Sequence, residues 1–150
     1  MKKTIFALAM LASLLLSACT AEAFTDERPI SPERLPAAAK TFIQQNFPDA
    51  TISYAEKDGR LINVSYEVWL SNGTEIEFRG NGEWDNVDCR PNAVPEALVP
   101  AAIVQYVQTN YPGNLIVKID KEHFGWEIEL SQFHLELQFS SNGTFLRIDD

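Results

Sequence analysis

Tyr66-Glu67-Val68-Trp69-Leu70-Ser71-Asn72-Gly73-Thr74-Glu75-Ile76-Glu77-Phe78 is the stretch that decides the fold. Val68, Leu70, Ile76 and Phe78 alternate with Glu67, Trp69, Glu75 and Glu77. A period of two puts the first set on one face of a sheet and the second on the other. Asn72-Gly73 between the runs is a tight hairpin turn. The alternation extends back through Ile62, Val64 and Tyr66. Ahead of it, Asn81-Gly82 marks a second turn, and a further strand runs from Trp84 to Asp88. The sheet therefore has one apolar face that needs a cover and one polar face that does not.

The cover lies upstream. Leu35, Ala38, Ala39, Phe42, Ile43 and Phe47 recur at helical spacing between Pro32 and Phe47. Pro36 sits near the start, where its missing N–H costs nothing, and Pro48 imposes a stop. A strand from about Thr51 to Glu56 follows directly. One helix and four antiparallel strands thus fill residues 32–90.

The same unit recurs over residues 91–150. Leu35-Pro36-Ala37-Ala38 returns as Val99-Pro100-Ala101-Ala102, and Asn46-Phe47-Pro48 as Asn110-Tyr111-Pro112. Tyr66-Glu67-Val68-Trp69-Leu70 returns as Trp126-Glu127-Ile128-Glu129-Leu130, Asn81-Gly82 as Asn142-Gly143, and Val87-Asp88 as Ile148-Asp149. The second helix is expected from about Glu96 to Tyr111, and its strand from about Leu115 to Asp120. Length differences between the copies fall at turns, where insertions are tolerated. Gln132-Phe133-His134 replaces the first Asn-Gly turn, so the two copies need not present equal surfaces. The expected fold class is α+β: two tandem repeats, each a helix packed on its own four-stranded antiparallel sheet.

These residues carry a resemblance. Leu-Pro-Ala-Ala, the helix ending in Asn-Phe-Pro, then Tyr-Glu-Val-Trp-Leu, Asn-Gly, Ile-Glu-Phe and Gly-Glu-Trp resemble the β-lactamase-inhibitor-like, PepSY-like family of secreted bacterial proteins, over about residues 32–150. The resemblance implies an architecture like the β-lactamase inhibitor protein, which binds its target with an exposed sheet face. It brings no catalytic residues with it.

The N-terminus reads as an export signal. Met1-Lys2-Lys3 is basic, and Ile5 to Leu16 is apolar except for Ser13. That run is shorter than the roughly 20 residues a membrane span needs, and it fits a signal peptide. Leu16-Ser17-Ala18-Cys19 matches a lipoprotein site with Cys19 as the lipidated residue. Ala21-Glu22-Ala23 offers an alternative cleavage before Phe24. Residues 1–19 are read as the leader and 20–31 as a linker. The expected location is the cell envelope, periplasmic or outer-membrane-associated.

The chain carries 12 basic and 21 acidic residues, and Lys2 and Lys3 leave with the leader. Such an acidic surface repels phosphate backbones, which argues against nucleic acid, and it suits cationic partners. With Cys19 lipidated or removed, Cys89 stands alone and reads as a half-buried structural thiol.

No motif for catalysis, metal or cofactor is found. His123 and His134 fall at turns without the paired spacing of a zinc site, and they read as surface residues. The glycines sit singly in hairpins, and no serine lies in a nucleophile elbow. A row of Glu along a strand is too flat for calcium, and no Asp-rich calcium loop is present. The expectation is a non-catalytic protein that binds an envelope protein or peptide through its open sheet faces. The candidate contacts are Glu67, Trp69, Glu75, Glu77, Arg79, Trp84, Glu127, Glu129 and Glu136. For Trp69 a packing role stands beside the binding one, and Trp84 fits either face. A periplasmic protein for small ligands or cations, or a small hydrolase, is the alternative.

Overall fold

The computed structural model describes residues 27–59, 63–132 and 134–149. The leader, Cys19 with both cleavage sites, Ile62 and Phe133 lie outside the described residues. The strands are β1 (Arg28–Pro29), β2 (Ile52–Asp58), β3 (Ser65–Leu70), β4 (Glu75–Arg79), β5 (Trp84–Asp88), β6 (Ile116–Glu122), β7 (Gly125–Leu130), β8 (Glu136–Ser140) and β9 (Phe145–Asp149). Helix α1 (Ala37–Asn46) precedes β2, and α2 (Ala101–Asn110) lies between β5 and β6.

The helices are shorter than the apolar spacing predicts. Leu35 and Val99, each before a proline, are extended at ψ 148° and 129°. A proline ring clashes with a preceding residue in helical geometry, so the α-helix starts only after Pro36 and Pro100. Single 3₁₀ turns at Pro32–Arg34 and Glu96–Leu98 take up the upstream residues.

The sheet differs more from expectation. Instead of two four-stranded sheets, the described residues form one antiparallel sheet of nine strands in sequence order. β5 and β6 join the halves, with Val87 opposite Ile119 and Asp88 opposite Lys118. The physical reason is that an unpaired strand edge exposes a row of backbone donors and acceptors, and pairing β5 to β6 removes two such edges. Arg28–Pro29, from the expected linker, adds the short β1 outside β2.

Continuity of the sheet fixes the faces. Phe78, Ile76, Val87, Ile119, Ile128, Leu137 and Phe139 are all buried on one side and form a single core with Ile43 of α1 and Val107 of α2. Phe42 meets Phe78 edge-on at 5.7 Å, and Tyr106 meets Phe139 likewise at 5.3 Å. Both helices therefore cover the same face, and among the described residues no helix covers the other face.

The Asn-Gly hairpins have three-residue loops. Arg79 N–H donates to Glu83 O at 2.8 Å, and Gly82 N–H donates back to Arg79 O at 2.8 Å. Gly82 has φ +84°, and a Cβ there would come within 2.7 Å of Pro36. This turn thus seats the start of α1, and only glycine fits it.

Candidate functional site: the open sheet face

The register aligns polar residues in two rows across the bare face. One row runs Glu56, Glu67, Glu77, Asn86, Asp120, Glu127, Gln138, Arg147, each opposite the next on neighbouring strands. The second runs Tyr54, Trp69, Glu75, Asp88, Lys118, Glu129, Glu136, Asp149. Carboxylates dominate both rows.

Glu67, Trp69, Glu75, Glu77, Arg79, Glu127, Glu129 and Glu136 fall on this face, as the alternation predicts. Trp84 does not. It packs on Phe42 at 5.9 Å and on Trp126 at 6.0 Å, on the helix side. Lys121 Nζ lies 3.7 Å above its ring. The cause is a β-bulge in β5: Phe78 opposes Trp84, Glu77 opposes Asn86, and Asp85 is the extra residue. A bulge breaks the period of two, so Trp84 and Val87 share a face.

Glu67, Glu75 and Glu77 each bring one carboxylate oxygen within 4.8 Å of the others. The flat row expected along one strand becomes a cluster across two. Burial and the neighbouring Glu75, Glu77 and Glu56 push the Glu67 carboxyl up to about 8. Burial and Asp120 also push Glu77 up. Like charges this close resist ionising together. Trp69 lines the same spot. Its Nε1–H donates to Glu75 Oε2 at 3.0 Å, and its ring leans on Tyr54 at 5.2 Å. Trp69 therefore joins both readings: it is half-buried and it faces outward.

The middle of the face is better neutralised. Lys118 Nζ reaches Asp120 at 3.2 Å, and Asn86 donates to the same carboxylate. Burial disfavours the Lys118 ammonium, but Asp120 and Asp88 outweigh it and hold its pKa above the usual value. Burial works against the Asp88 carboxylate, and Arg90 more than offsets it. Arg79 is exposed and pairs with Asp85 at the β4–β5 end.

Glu129 departs from the exposed contact expected of it. It is 5% exposed, held by Arg90 Nη1 at 3.3 Å and facing His134 Nδ1 at 2.7 Å. His134 takes φ +50° in the turn that lacks Asn-Gly. Arg90, Pro91, Val117, Glu129, Ser131 and His134 surround a cleft of about 120 Å³. A carboxylate–histidine pair invites an acid–base reading. The cleft does not enclose it, since the His134 side chain is 79% exposed. The Ser131 hydroxyl accepts the Leu115 N–H at 3.0 Å. His123 is 89% exposed beside Glu122.

Sequence reasoning missed Tyr54, Glu56, Asp88, Arg90, Lys118, Asp120 and Asp149. The three-residue hairpin at Asn72-Gly73 already implies that Glu67 opposes Glu77, so that cluster was readable. Asp88, Lys118 and Asp120 meet only through the β5–β6 junction, for which a single sequence carries no signal.

A sequence profile of the family described as "Putative beta-lactamase-inhibitor-like, PepSY-like" matches residues 64–147. Among solved structures, the fold is similar to a protein of Bacteroides thetaiotaomicron described as a "putative calcium-regulated periplasmic protein". That match has 38% identity and a TM-score of 0.77, and covers 83% of this chain and 98% of the other. It is also similar to a periplasmic protein of unknown function from Bacteroides vulgatus, at 34% identity and TM-score 0.78, covering 83% and 99%. A further B. vulgatus periplasmic protein matches at 38% identity and TM-score 0.76, covering 83% and 98%. No curated protein matches the sequence.

Proposed function

The chain belongs to the β-lactamase-inhibitor-like, PepSY-like family, and from that premise we propose a non-catalytic periplasmic protein that holds a cationic protein or peptide on its open sheet face. The observation that carries this reading is the pair of carboxylate-rich rows crossing that face, with Trp69 and Tyr54 at one end. Trp69 supplies an aromatic anchor, and the acids supply attraction and orientation. If the partner is an enzyme, occupation of its site by this face would make the protein an inhibitor. Export by the leader and a lipid on Cys19 complete the reading. Fatty-acid labelling that survives Cys19→Ser would remove the anchor from it.

The test is recovery of partners from envelope extracts with wild type and a Trp69→Ala, Glu77→Lys double variant. The double variant should lose the partner, and added salt should weaken the wild-type complex. Equal recovery by both proteins places the site elsewhere.

A second reading is favoured by one specific arrangement. The three carboxylates of Glu67, Glu75 and Glu77 converge, among the described residues no cation is paired to Glu67, and one similar protein is described as calcium-regulated. Three bidentate carboxylates could give calcium up to about six oxygens, with water or a partner completing the shell. Calorimetric titration with calcium at pH 8 should give binding in wild type and none in Glu67→Gln, Glu77→Gln. Absence of heat and of thermal stabilisation by millimolar calcium would end this reading and leave the docking face standing.

A further inference from the structure

The two halves treat one equivalent position differently. In the first, Val87 opposes Ile76 on one side and Ile119 of β6 on the other, and it is fully buried. In the second, Ile148 opposes Leu137, and among the described residues no segment pairs beyond β9. Ile148 is 42% exposed and Leu146 50% exposed. An edge strand carrying outward apolar residues is a ready template for strand addition.

The hydrogen bonds show which groups are free. Ser140 N–H donates to Thr144 O at 2.9 Å, closing the β8–β9 hairpin with a bonded pair. Antiparallel pairs alternate between bonded and non-bonded. Along the register, Gln138/Arg147 and Glu136/Asp149 are then bonded pairs, and Leu137/Ile148 is not. The Ile148 N–H and C=O therefore point off the free edge. In the first half the equivalent direction is satisfied by β6, and Cys89, two residues past Val87, donates its N–H to Val117 O at 2.8 Å.

We propose that β9 pairs antiparallel with β9 of a second copy, with the two-fold axis at Ile148, so that two sheets become one. Charge selects this register. An axis at Ile148 sets Arg147 opposite Asp149 of the copy, twice, on the open face. Moving the axis one residue either way sets Arg147 on Arg147 or Asp149 on Asp149. Within one chain Arg147 Nη2 lies 3.5 Å from Asp149 Oδ1, the two side chains being 65% and 40% exposed, so pairing exchanges this contact for two across the axis. The same register brings Ile148 against Ile148 on the helix side. At the opposite edge, β1 is only Arg28–Pro29, and Pro29 has no donor to offer. That asymmetry favours a closed pair over an open chain of subunits.

The experiment is the solution mass of the mature chain by sedimentation over a concentration series. Wild type should dimerise. Arg147→Asp and Asp149→Arg, each alone, place like charges across the axis and should weaken dimerisation on the order of tenfold or more. Mixed one to one, they restore opposite charges and should form a heterodimer. Ile148→Pro removes the outward donor and should give a monomer. Circular dichroism melts identify which variants are folded, and the mixing result needs only the two charge variants. A wild type that stays monomeric, single variants that still dimerise, or a mixture that fails to associate overturns the proposal.

Discussion

Glu67 stands directly opposite Glu77 across the β3–β4 ladder, and Glu56 stands opposite Glu67 on its other side. Like charges facing across strands cost about 0.2–1 kcal/mol per pair. The molecule keeps three such residues side by side on a face that folding alone does not require to be acidic.

The first prediction concerns pH. The Glu67 carboxyl is pushed up to about 8 from an ordinary 4.5. The folded state thus keeps a proton that the unfolded chain releases. That stabilisation is fully present below 4.5 and is lost as pH rises through about 8. Glu77 and Glu127 are shifted the same way, chiefly by burial. The melting temperature should therefore fall between pH 5 and pH 8. Glu67→Gln should flatten that slope and gain about 0.5–1 kcal/mol at pH 8. An unchanged slope in the variant would show that Glu67 is not the titrating group.

Much of this arrangement could be read from sequence and some could not. Val68, Leu70, Ile76 and Phe78 announce their face by period two, and the hairpin at Asn72-Gly73 fixes Glu67 against Glu77. The helix ends at Pro48 and Pro112 are equally plain. Trp84 was not readable, because the bulge at Asp85 reverses the alternation without a glycine or proline to signal it. The joining of β5 to β6 was not readable either. Alternation describes a strand's two faces and says nothing about its two edges.

The bulge has an energetic consequence at Trp84. Its ring joins Phe42 of α1 to Trp126 of β7, tying the two halves together on the helix side. Trp84→Ala should cost about 2–4 kcal/mol, toward the lower part of the range for large core aromatics because the ring is half-buried. Trp69→Ala, on the open face, should cost clearly less. Urea unfolding of the two variants side by side checks this, and equal losses would contradict the assignment of faces.

Gly82 is the next test. Its φ of +84° strains any L side chain, and an added Cβ would sit 2.7 Å from Pro36. Gly82→Ala should destabilise by about 1–3 kcal/mol through the turn and the displaced start of α1. Gly73 has a similar φ of +87° but open space around it. Gly73→Ala should therefore cost only the backbone term, about 1 kcal/mol. Chemical denaturation of both variants separates packing from conformation, and a larger loss at Gly73 would refute the reading.

Cys89 completes the set. Its side chain is buried at 2% exposure, and the Thr74 hydroxyl lies 3.7 Å from Sγ. Burial pushes the thiol pKa up, and Asp88 adds to it, although the Thr74 contact opposes them. Reaction needs the thiolate and access to it, and both are scarce here. In a Cys19→Ser background, a disulfide reagent at neutral pH should label Cys89 only as fast as the protein opens. Added denaturant below the unfolding midpoint should accelerate labelling in step with the loss of stability. Rapid labelling without denaturant would mean that the β5–β6 junction opens far more readily than its packing implies. It would also weaken the case for a rigid, continuous acidic face.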